Sequence, residues 1–268
     1  MSKVVKPYDV QTGKNTLHLN DCVKVMENMT AKSVDVVVTS PPYNLNIKYS
    51  KYKDNTPRSK YLAWLNSVFS AIDRVLKEDG SLFLNMGSSN VDPWVCYEVA
   101  FEAKKYFELQ NDITWVKSIS IKDDSYGHYK PINSERFLNH THEKIWHFTK
   151  TGSVPLQRTA IGVPYQDKSN IKRWGTKADL RCRGNCWFIP YDTIVNKNEK
   201  GKHPAVFPSG LAENCIKLHG YDENTVVLEP FLGSGSTLVA CKRLGVNGVG
   251  CEIDQEYFKF ALGRIENA

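Results

Sequence analysis

Long apolar runs are missing from this sequence, and no stretch approaches the ~18 consecutive apolar residues that a membrane-spanning helix requires. The opening residues, MSKVVKPYDVQTGKN, contain no apolar core and no small-residue cleavage site, so we expect no signal peptide. Internal repeats and low-complexity tracts are absent as well. With ordinary hydrophobic (41%) and charged (24%) fractions, these absences predict a cytoplasmic globular protein that has no membrane partner.

The cysteines lack the arrangement of a disulfide scaffold. There are seven, an odd number, and they are scattered, which favours a reducing cytoplasm over a disulfide framework. Cys182 and Cys186 lie close together and His203 follows them, but without a second pair of ligands this is a weak zinc pattern. We therefore expect no metal site.

Positive charge, in contrast, is abundant and local. The formal net charge is +6, and residues 150–202 alone contain eleven basic and four acidic side chains. A second basic cluster occupies NIKYSKYKDNTPRSK, residues 46–60. Both clusters are interleaved with aromatic residues, which favours a polyanion such as nucleic acid as a partner. Taken singly, each cluster could equally be a solvated surface.

Apolar runs alternate with helical patterns along the chain, which predicts an α/β fold. We expect strands at TLHLN, VDVVVT, SLFLNM, DITWVK, KIWHFT, TVVLEP and VNGVGCEI. Helices are expected at DCVKVMENM, YLAWLNSVFSAIDRVL, GLAENCIKLHG and STLVACKRLG, and Gly80 should stop the second of them. Residues 151–202 are aperiodic and too long for an ordinary loop, so this stretch is predicted to be functional or a small subdomain.

The stretch TSPPY, residues 39–43, follows the predicted strand VDVVVT. Proline cannot donate to a strand ladder, so Pro41 and Pro42 must end the strand. Each proline also restricts the residue before it to extended conformations. The sequence therefore predicts a stiff loop that carries Ser40 and Tyr43 at the end of a strand.

A glycine-rich turn joins a strand to a helix in VVLEPFLGSGSTLVACKRLGVNGVGCEID, residues 226–254. Gly233 and Gly235 allow the backbone to approach a ligand closely, and Ser236 or Thr237 can cap the helix. Glu252 follows about 20 positions later, where a carboxylate can accept from both hydroxyls of a ribose. The combination indicates a nucleoside cofactor, although many glycine-rich turns only change the direction of the chain.

The glycine-rich turn also narrows the choice of cofactor. No Lys-Ser or Lys-Thr follows the glycines, which excludes a Walker A loop, and the third glycine of the dinucleotide fingerprint is missing. Glu229, two residues before Phe231, would repel a pyrophosphate but suit a cationic group. S-adenosyl-L-methionine carries an ammonium and a sulfonium and no phosphate, so the local chemistry favours this cofactor.

Both stretches resemble motifs of one family. TSPPY is similar to the catalytic motif of DNA methyltransferases that modify exocyclic amino groups, and LEPFLGSGST resembles the S-adenosylmethionine motif of the same enzymes. NDCVKVM and KHPAVFPSGLAENCIKLHG also resemble family segments, and the catalytic motif comes first, as in the permuted β group. The resemblance implies a Rossmann-like methyltransferase sheet, circularly permuted, with residues 1–150 as the catalytic part, 151–202 as an inserted target-recognition region and 203–268 as the cofactor-binding part.

The resemblance also implies roles for individual residues. Ser40 and the main-chain carbonyl of Pro41 would accept the amino hydrogens of the target base. The ring of Tyr43 would stack on that base once it has left the duplex, with its hydroxyl incidental. Asp21 would accept from the adenine of the cofactor, or merely cap a helix. The other implied cofactor contacts are Phe231, His203 and Phe207, and the candidate DNA-binding cations of the insert are Lys172, Arg173, Arg181 and Arg183.

The residue before the two prolines bears on the substrate. Family members with Asp there mostly methylate adenine at N6, and those with Ser mostly methylate cytosine at N4, so Ser40 indicates cytosine with adenine as the alternative. Methylation at ring carbon 5 needs a cysteine nucleophile, usually after proline, and no cysteine here follows a proline. A non-catalytic DNA-binding protein and an RNA or protein methyltransferase stay open. Double-stranded DNA is the expected partner, and the resemblance leaves open a cognate restriction endonuclease and a homodimer.

Overall fold

The computed structural model describes residues 8–46, 54–122, 124–127, 133–175, 178–190 and 207–268. Its strands are β1 (Tyr8–Thr12), β2 (Asn15–Leu19), β3 (Val34–Thr39), β4 (Leu76–Met86), β5 (Glu108–Val116), β6 (Ser118–Ile121), β7 (Asp124–Gly127), β8 (His142–Thr149), β9 (Cys186–Phe188), β10 (Val226–Glu229) and β11 (Asn247–Glu252). Its helices are α1 (Cys22–Asn28), α2 (Arg58–Val75), α3 (Val95–Ala103), α4 (Ser169–Arg173), α5 (Ser209–His219), α6 (Ser236–Leu244) and α7 (Gln255–Glu266).

Nine of these strands form one twisted mixed sheet in the order β1-β2-β11-β10-β3-β4-β8-β5-β9. Strands β2, β11, β10, β3 and β4 run parallel, and β8 is antiparallel to both β4 and β5. The carboxyl ends of the parallel strands therefore meet at one edge, and the antiparallel β8 begins at that same edge. In open α/β sheets this is the edge at which ligands bind.

Strand β3 explains why the sheet is covered on both faces. Its run VDVVVT is almost continuously apolar, as expected for a strand buried on both sides. Val37 belongs to the buried apolar cluster that contains residues of α1, α2 and α3, whereas Val36 and Val38 belong to the cluster that contains residues of α5 and α6. The predicted α/β class is confirmed, and all seven predicted strands and four predicted helices are present.

The expected role of Gly80 is wrong. Helix α2 ends at Val75, and the next residue, Leu76, is already extended. Gly80 lies inside β4, where an added Cβ would come 2.6 Å from Leu76 Cδ1. Gly80 therefore lies within a strand, beside Leu76 and 3.0 Å (measured from an added Cβ) from the main-chain oxygen of Asp35, and does not end the helix.

The stretch predicted to be an insert contributes directly to the main sheet. It contains α4 and β9, and β9 pairs in parallel with β5. Trp187 and Ile161 are buried in the same apolar cluster as Trp115. No helix in the described parts of the chain is both long and apolar enough to cross a membrane.

Candidate active site

A cavity of about 260 Å³ opens at the carboxyl edge of the parallel strands. The loop after β3, with Ser40 and Tyr43, lines the cavity. The glycine-rich turn after β10 and the end of β11, with Gly233 and Glu252, line it too. The two motifs stand about 190 residues apart in sequence, and the pairing of β10 with β3 brings them together. Pro41 and Pro42 also line the cavity.

Residues 40–43 form the SPPY loop, and hydrogen bonds on both flanks fix it. The hydroxyl of Tyr61 on α2 donates to the main-chain oxygen of Pro42 at 2.7 Å. Beyond the loop, the backbone N–H groups of Asn44 and Leu45 donate to the carboxylate of Asp54 at 2.8 and 3.0 Å. Asp54 is only 3% exposed. The stiff loop that the prolines predict is therefore also held by its neighbours.

Hydrogen bonds connect Ser40 and Tyr43 of the SPPY loop to a set of polar side chains on neighbouring strands. The Ser40 Oγ lies 2.9 Å from the hydroxyl of Tyr43, and that hydroxyl donates to Glu143 Oε2 at 2.9 Å. Asn85 Nδ2 donates to the Tyr43 hydroxyl at 2.7 Å and to Glu143 Oε2 at 2.8 Å. Glu143 also forms an ion pair with Lys117 at 2.5 Å. The hydroxyl of Tyr43, which the stacking interpretation treats as incidental, thus has partners on both sides.

Sequence reasoning missed Asn85, Glu143 and Lys117. Asn85 is a polar residue near the end of an otherwise apolar strand, a signal that was available in SLFLNM. Glu143 gives no such signal, because only the antiparallel pairing of β8 with β4 brings the start of β8 to this edge. Gly87 completes the arrangement, since a Cβ there would lie 2.8 Å from the ring of Tyr43.

Glu252 organises the glycine-rich turn and faces the cavity. Its Oε2 accepts from the N–H of Gly233 at 2.9 Å, and its Oε1 accepts from the N–H groups of Ile253 and Asp254 at 2.9 Å. Gly233 adopts a positive φ of 50°. Burial raises the pKa of Glu252 to about 7, against the hydrogen bonds that oppose this shift. A carboxylate at this place remains able to accept from a ligand hydroxyl.

Glu229, which the sequence predicts to contact the cofactor, is not among the residues that line the cavity. It is 1% exposed. Its carboxylate accepts from the hydroxyls of Thr39 and Thr237 at 2.7 and 2.8 Å and from the N–H of Phe231 at 3.1 Å. Burial raises the pKa of Glu229 to about 8. Glu229 and Thr237 therefore join β3, β10 and α6 behind the cavity wall.

Gly235 also acts through packing and is not part of the cavity wall. It is the N-cap residue of α6 with a φ of 83°, and an added Cβ would lie 3.1 Å from the Cβ of Ala261 on α7. Ser236 and Thr237 lie inside α6, and no side chain caps this helix, so the expected cap is wrong. The left-handed conformation and the contact with α7 are what require glycine.

The remaining cofactor candidates divide into three cases. Asp21 caps α1 by accepting from Val23 N at 3.0 Å and Lys24 N at 3.3 Å, and it also lines the cavity, so the cap leaves a cofactor contact open to it. Phe207 and Phe231 line the cavity too. His203 lies outside the described residues.

The lining chemistry fits a cationic ligand without phosphate. Four carboxylates contribute to it (Asp21, Glu143, Glu252 and Asp254), and no Lys or Arg does so among the described residues. A pyrophosphate would meet only repulsion here, whereas the ammonium and sulfonium of S-adenosylmethionine would be favoured. In the same part of the chain, no group of His, Cys, Asp and Glu could hold a metal ion.

The predicted DNA-binding cations differ in how free they are. Lys172 and Arg173 are exposed at the end of α4, where the Arg173 guanidinium lies 5.7 Å from the ring centre of Trp174. Arg181 is exposed as well, but the Arg183 Nε donates to the main-chain oxygen of Ile161 at 2.9 Å. Arg183 is thus partly a structural residue. In the second basic cluster, Arg58 pairs with Asp92 and Glu98, and Lys48, Lys51 and Lys53 lie outside the described residues.

Comparison with known proteins now decides the family. Residues 34–263 match the family of N6 and N4 methyltransferases described as DNA methylase. The chain belongs to this DNA methylase family. The methylase is 29% identical over 248 residues to the type II methyltransferase M.HpaI of Haemophilus parainfluenzae, covering 92% of this chain and 73% of that relative.

Two solved structures share the fold of the methylase. PvuII DNA methyltransferase (cytosine-N4-specific) aligns with a TM-score of 0.72 at 20% identity, over 95% of this chain and 87% of that one. TTHA0409 of Thermus thermophilus, in complex with S-adenosyl-L-methionine, aligns with a TM-score of 0.64 at 24% identity, over 94% and 93%. The predicted Rossmann-like methyltransferase fold and amino-methyltransferase family are confirmed. S-adenosylmethionine is the cofactor of this family, and the cavity chemistry fits it.

Proposed function

We propose that this methylase transfers a methyl group from S-adenosylmethionine to the N4 amino group of cytosine at a specific site in double-stranded DNA, as the modification enzyme of a restriction-modification system. The observation that supports this most is the position of Ser40. Ser40 lines the same cavity as Glu252. By the family resemblance, it stands where adenine-specific enzymes mostly carry Asp. The type II relative M.HpaI supports the modification role.

The residues at one end of the cavity bind and orient S-adenosylmethionine. The cofactor supplies an electrophilic methyl group on a cationic sulfur. Glu252 accepts from its ribose hydroxyls, Asp21 accepts from its adenine amino group, and Phe231 packs against it. The lining carboxylates would favour its positive charge. The hydrogen bond that the N–H of Gly233 donates to Glu252 fixes the turn beside that carboxylate.

The SPPY loop prepares the nucleophile. The N4 lone pair of cytosine is delocalised into the ring, so the nitrogen attacks only as it becomes more tetrahedral. Ser40 Oγ and the main-chain oxygen of Pro41 accept the amino hydrogens in that geometry. Because the loop is fixed by Tyr61 and Asp54, these acceptors need no rearrangement. Positioning of this kind contributes up to ~7–11 kcal/mol to catalysis.

The target base reaches the cavity by leaving the duplex. Extrusion costs a few kcal/mol, and stacking on the ring of Tyr43 returns ~1–3 kcal/mol. Residues 151–202 read the surrounding DNA in this proposal, and the exposed Lys172, Arg173 and Arg181 contact phosphates. Trp174, 67% exposed beside Arg173, adds an aromatic surface to the same region.

Nucleoside analysis tests the proposal. DNA from cells that express the methylase is digested to nucleosides and examined by mass spectrometry, with a Ser40→Ala variant as the control. We expect N4-methylcytosine with the parent and its loss with the variant. N6-methyladenine instead would transfer the mechanism to adenine, and the absence of both products would overturn the proposal.

A further inference from the structure

The hydrogen bonds that join Ser40, Tyr43, Asn85 and Glu143 have a defined direction. This direction follows from which of these groups can donate a hydrogen. Glu143 is 8% exposed, and as a carboxylate paired with Lys117 it only accepts. Lys117 is an obligate donor, so Glu143 Oε1 accepts from it. The Tyr43 hydroxyl, 2.9 Å away, must therefore point its hydrogen at Glu143.

The next link is determined in the same way. With its hydrogen committed to Glu143, the Tyr43 oxygen can only accept from its other neighbours. It accepts from Asn85 Nδ2 at 2.7 Å, and its second lone pair faces Ser40 Oγ at 2.9 Å. Ser40 consequently donates to Tyr43, and its oxygen, which Asn85 Nδ2 approaches at 3.4 Å, keeps a lone pair for a group inside the cavity.

We infer that Glu143 is a positioning residue that sets this polarity and receives the proton released by the reaction. The inference rests on the proposed function, since it concerns how the amino nitrogen loses a proton. The nitrogen forms its bond to the methyl carbon while the carbon–sulfur bond breaks, leaving a neutral thioether. The surplus amino proton passes to Ser40 Oγ, the Ser40 proton passes to the Tyr43 oxygen, and the Tyr43 proton passes to Glu143 Oε2. The carboxyl then releases this proton to solvent.

Proton transfer of this kind is consistent with the shape of the site. The two steps, Ser40 to Tyr43 and Tyr43 to Glu143, are each 2.9 Å long, which is within hydrogen-bonding distance. Asn85, 2% exposed, holds both Tyr43 and Glu143 through its nitrogen, so the two cannot separate without breaking buried contacts. Gly87 leaves the space that brings the Tyr43 ring beside Glu143.

Glu143→Gln is the first test, because glutamine keeps the size of the side chain and an acceptor oxygen but does not take up a proton. We expect the single-turnover methylation rate to fall about 10²-fold, the lower end of general acid–base contributions. The rate is measured at saturating S-adenosylmethionine, and the fluorescence rise of 2-aminopurine at the target position should match that of the parent. Lys144→Gln is the matched control, because Lys144 follows on the same strand and its ion pair is with Asp112, outside this chain of groups.

The pH profile separates proton acceptance from a merely structural role. The charged or titratable groups that face Glu143 are Lys117 and Tyr43, and its strand neighbours are His142 and Lys144. The other carboxylates of the cavity are those of Asp21, Glu252 and Asp254. The two profiles are compared at saturating cofactor, which removes the contribution of Glu252. They should differ in shape, because only the parent side chain can take up a proton. A parallel profile, or a rate like that of the parent, would overturn the inference.

Tyr43→Phe guards against misfolding of the first variant, because it leaves the Glu143–Lys117 pair intact. It should slow methylation by about the same factor, and Glu143→Gln should add little in its background. Full activity of Tyr43→Phe would refute the inference even if Glu143→Gln failed to fold. Failure of the proposed function would look different, since the parent enzyme itself would then produce no N4-methylcytosine.

Discussion

Glu229 and Glu252 invite comparison, because they end the adjacent parallel strands β10 and β11 and flank the same glycine-rich turn. Each accepts three hydrogen bonds from within the protein, and burial raises the pKa of both. Glu229 accepts two of its bonds from threonine hydroxyls, and it is sealed behind the cavity wall. Glu252 accepts only from backbone N–H groups and lines the cavity. Neighbouring positions and the same residue type thus serve stability in one case and ligand binding in the other.

Replacing Glu229 should give the largest effect on stability. Glu229→Ala leaves Thr39, Thr237 and the N–H of Phe231 without their acceptor. Each unsatisfied buried group costs ~1–3 kcal/mol, so we expect the free energy of unfolding to fall by about 3 kcal/mol or more. Urea denaturation would measure it, with Glu229→Gln as the control that retains one acceptor. Unchanged unfolding would mean that water replaces the carboxylate and that the two glutamates are less different than they look.

Replacing Glu252 should weaken cofactor binding far more than folding. Glu252→Gln keeps an acceptor for the backbone N–H groups but removes the charged acceptor for the ribose hydroxyls. A hydrogen bond to a charged group contributes ~1.5–3 kcal/mol, so affinity for S-adenosylmethionine should fall about 10- to 100-fold. Calorimetric titration would measure it, and the exposed Glu256→Gln change is the matched control on α7. If affinity were retained, Glu252 would be a second structural glutamate.

Acid should weaken cofactor binding through Glu252. The form that accepts from two hydroxyls is the ionised one, and the pKa of Glu252 is raised to about 7 in the free enzyme. Below that pH, binding must first displace a proton, so affinity should fall by up to about tenfold per pH unit and stay level above it. Titrations between about pH 5.5 and about pH 8.5 would follow this, and Glu252→Gln should flatten the curve. A level curve for the parent would contradict the assigned role.

Rising pH should destabilise the ligand-free fold through Glu229. Its pKa of about 8 in the folded state exceeds the ordinary value of 4.5, so folding favours the protonated form. This contribution is complete below about pH 4.5 and is lost as pH rises to about 8, by at most about 1.4 kcal/mol per pH unit. The difference in unfolding free energy between the parent and Glu229→Gln should follow this course. A difference that does not vary with pH would mean that Glu229 is ionised throughout.

Exposed cations should contribute to DNA binding, and neither to stability, as Glu229 does, nor to cofactor binding, as Glu252 does. Neutralising Lys172 and Arg173 together should leave folding and cofactor affinity unchanged, since both side chains are exposed at the end of α4. If both contact phosphate, the slope of log DNA affinity against log salt should become shallower by about 1.8. Filter binding across a salt series would measure the slope, with the exposed Lys259→Gln as control. A parallel shift without a change of slope would place the pair away from DNA.

The sequence predicts the parts of the site that depend on local order. The prolines after β3, the first glycine of the turn after β10 and the acid at the end of β11 can be read from short stretches, and all of them line one cavity. Glu143 could not be predicted, because its place depends on the antiparallel pairing of β8. The sequence predicts that Glu229 contacts the cofactor, because it lies next to the glycine-rich turn. Its side-chain hydrogen-bond donors, Thr39 of β3 and Thr237 of α6, are distant in sequence or on another element, and these contacts could not be read from this stretch. Gly80 shows the same limit, since it lies within β4 and does not end the helix.

The neighbours of β3 and β2 in the sheet also constrain how the enzyme is made. Val36 of β3 pairs with Val227 of β10, and Leu17 of β2 pairs with Gly250 of β11. Strands β2 and β3 are therefore synthesised long before the strands that pair with them. At ~5–20 residues per second, about 10–40 s pass between synthesis of the SPPY loop and of β11. During that time the apolar edge of VDVVVT lacks its partner, and such an edge is prone to aggregate. The cavity is therefore completed only after synthesis of β10 and β11, when these strands insert between β2 and β3 in the sheet.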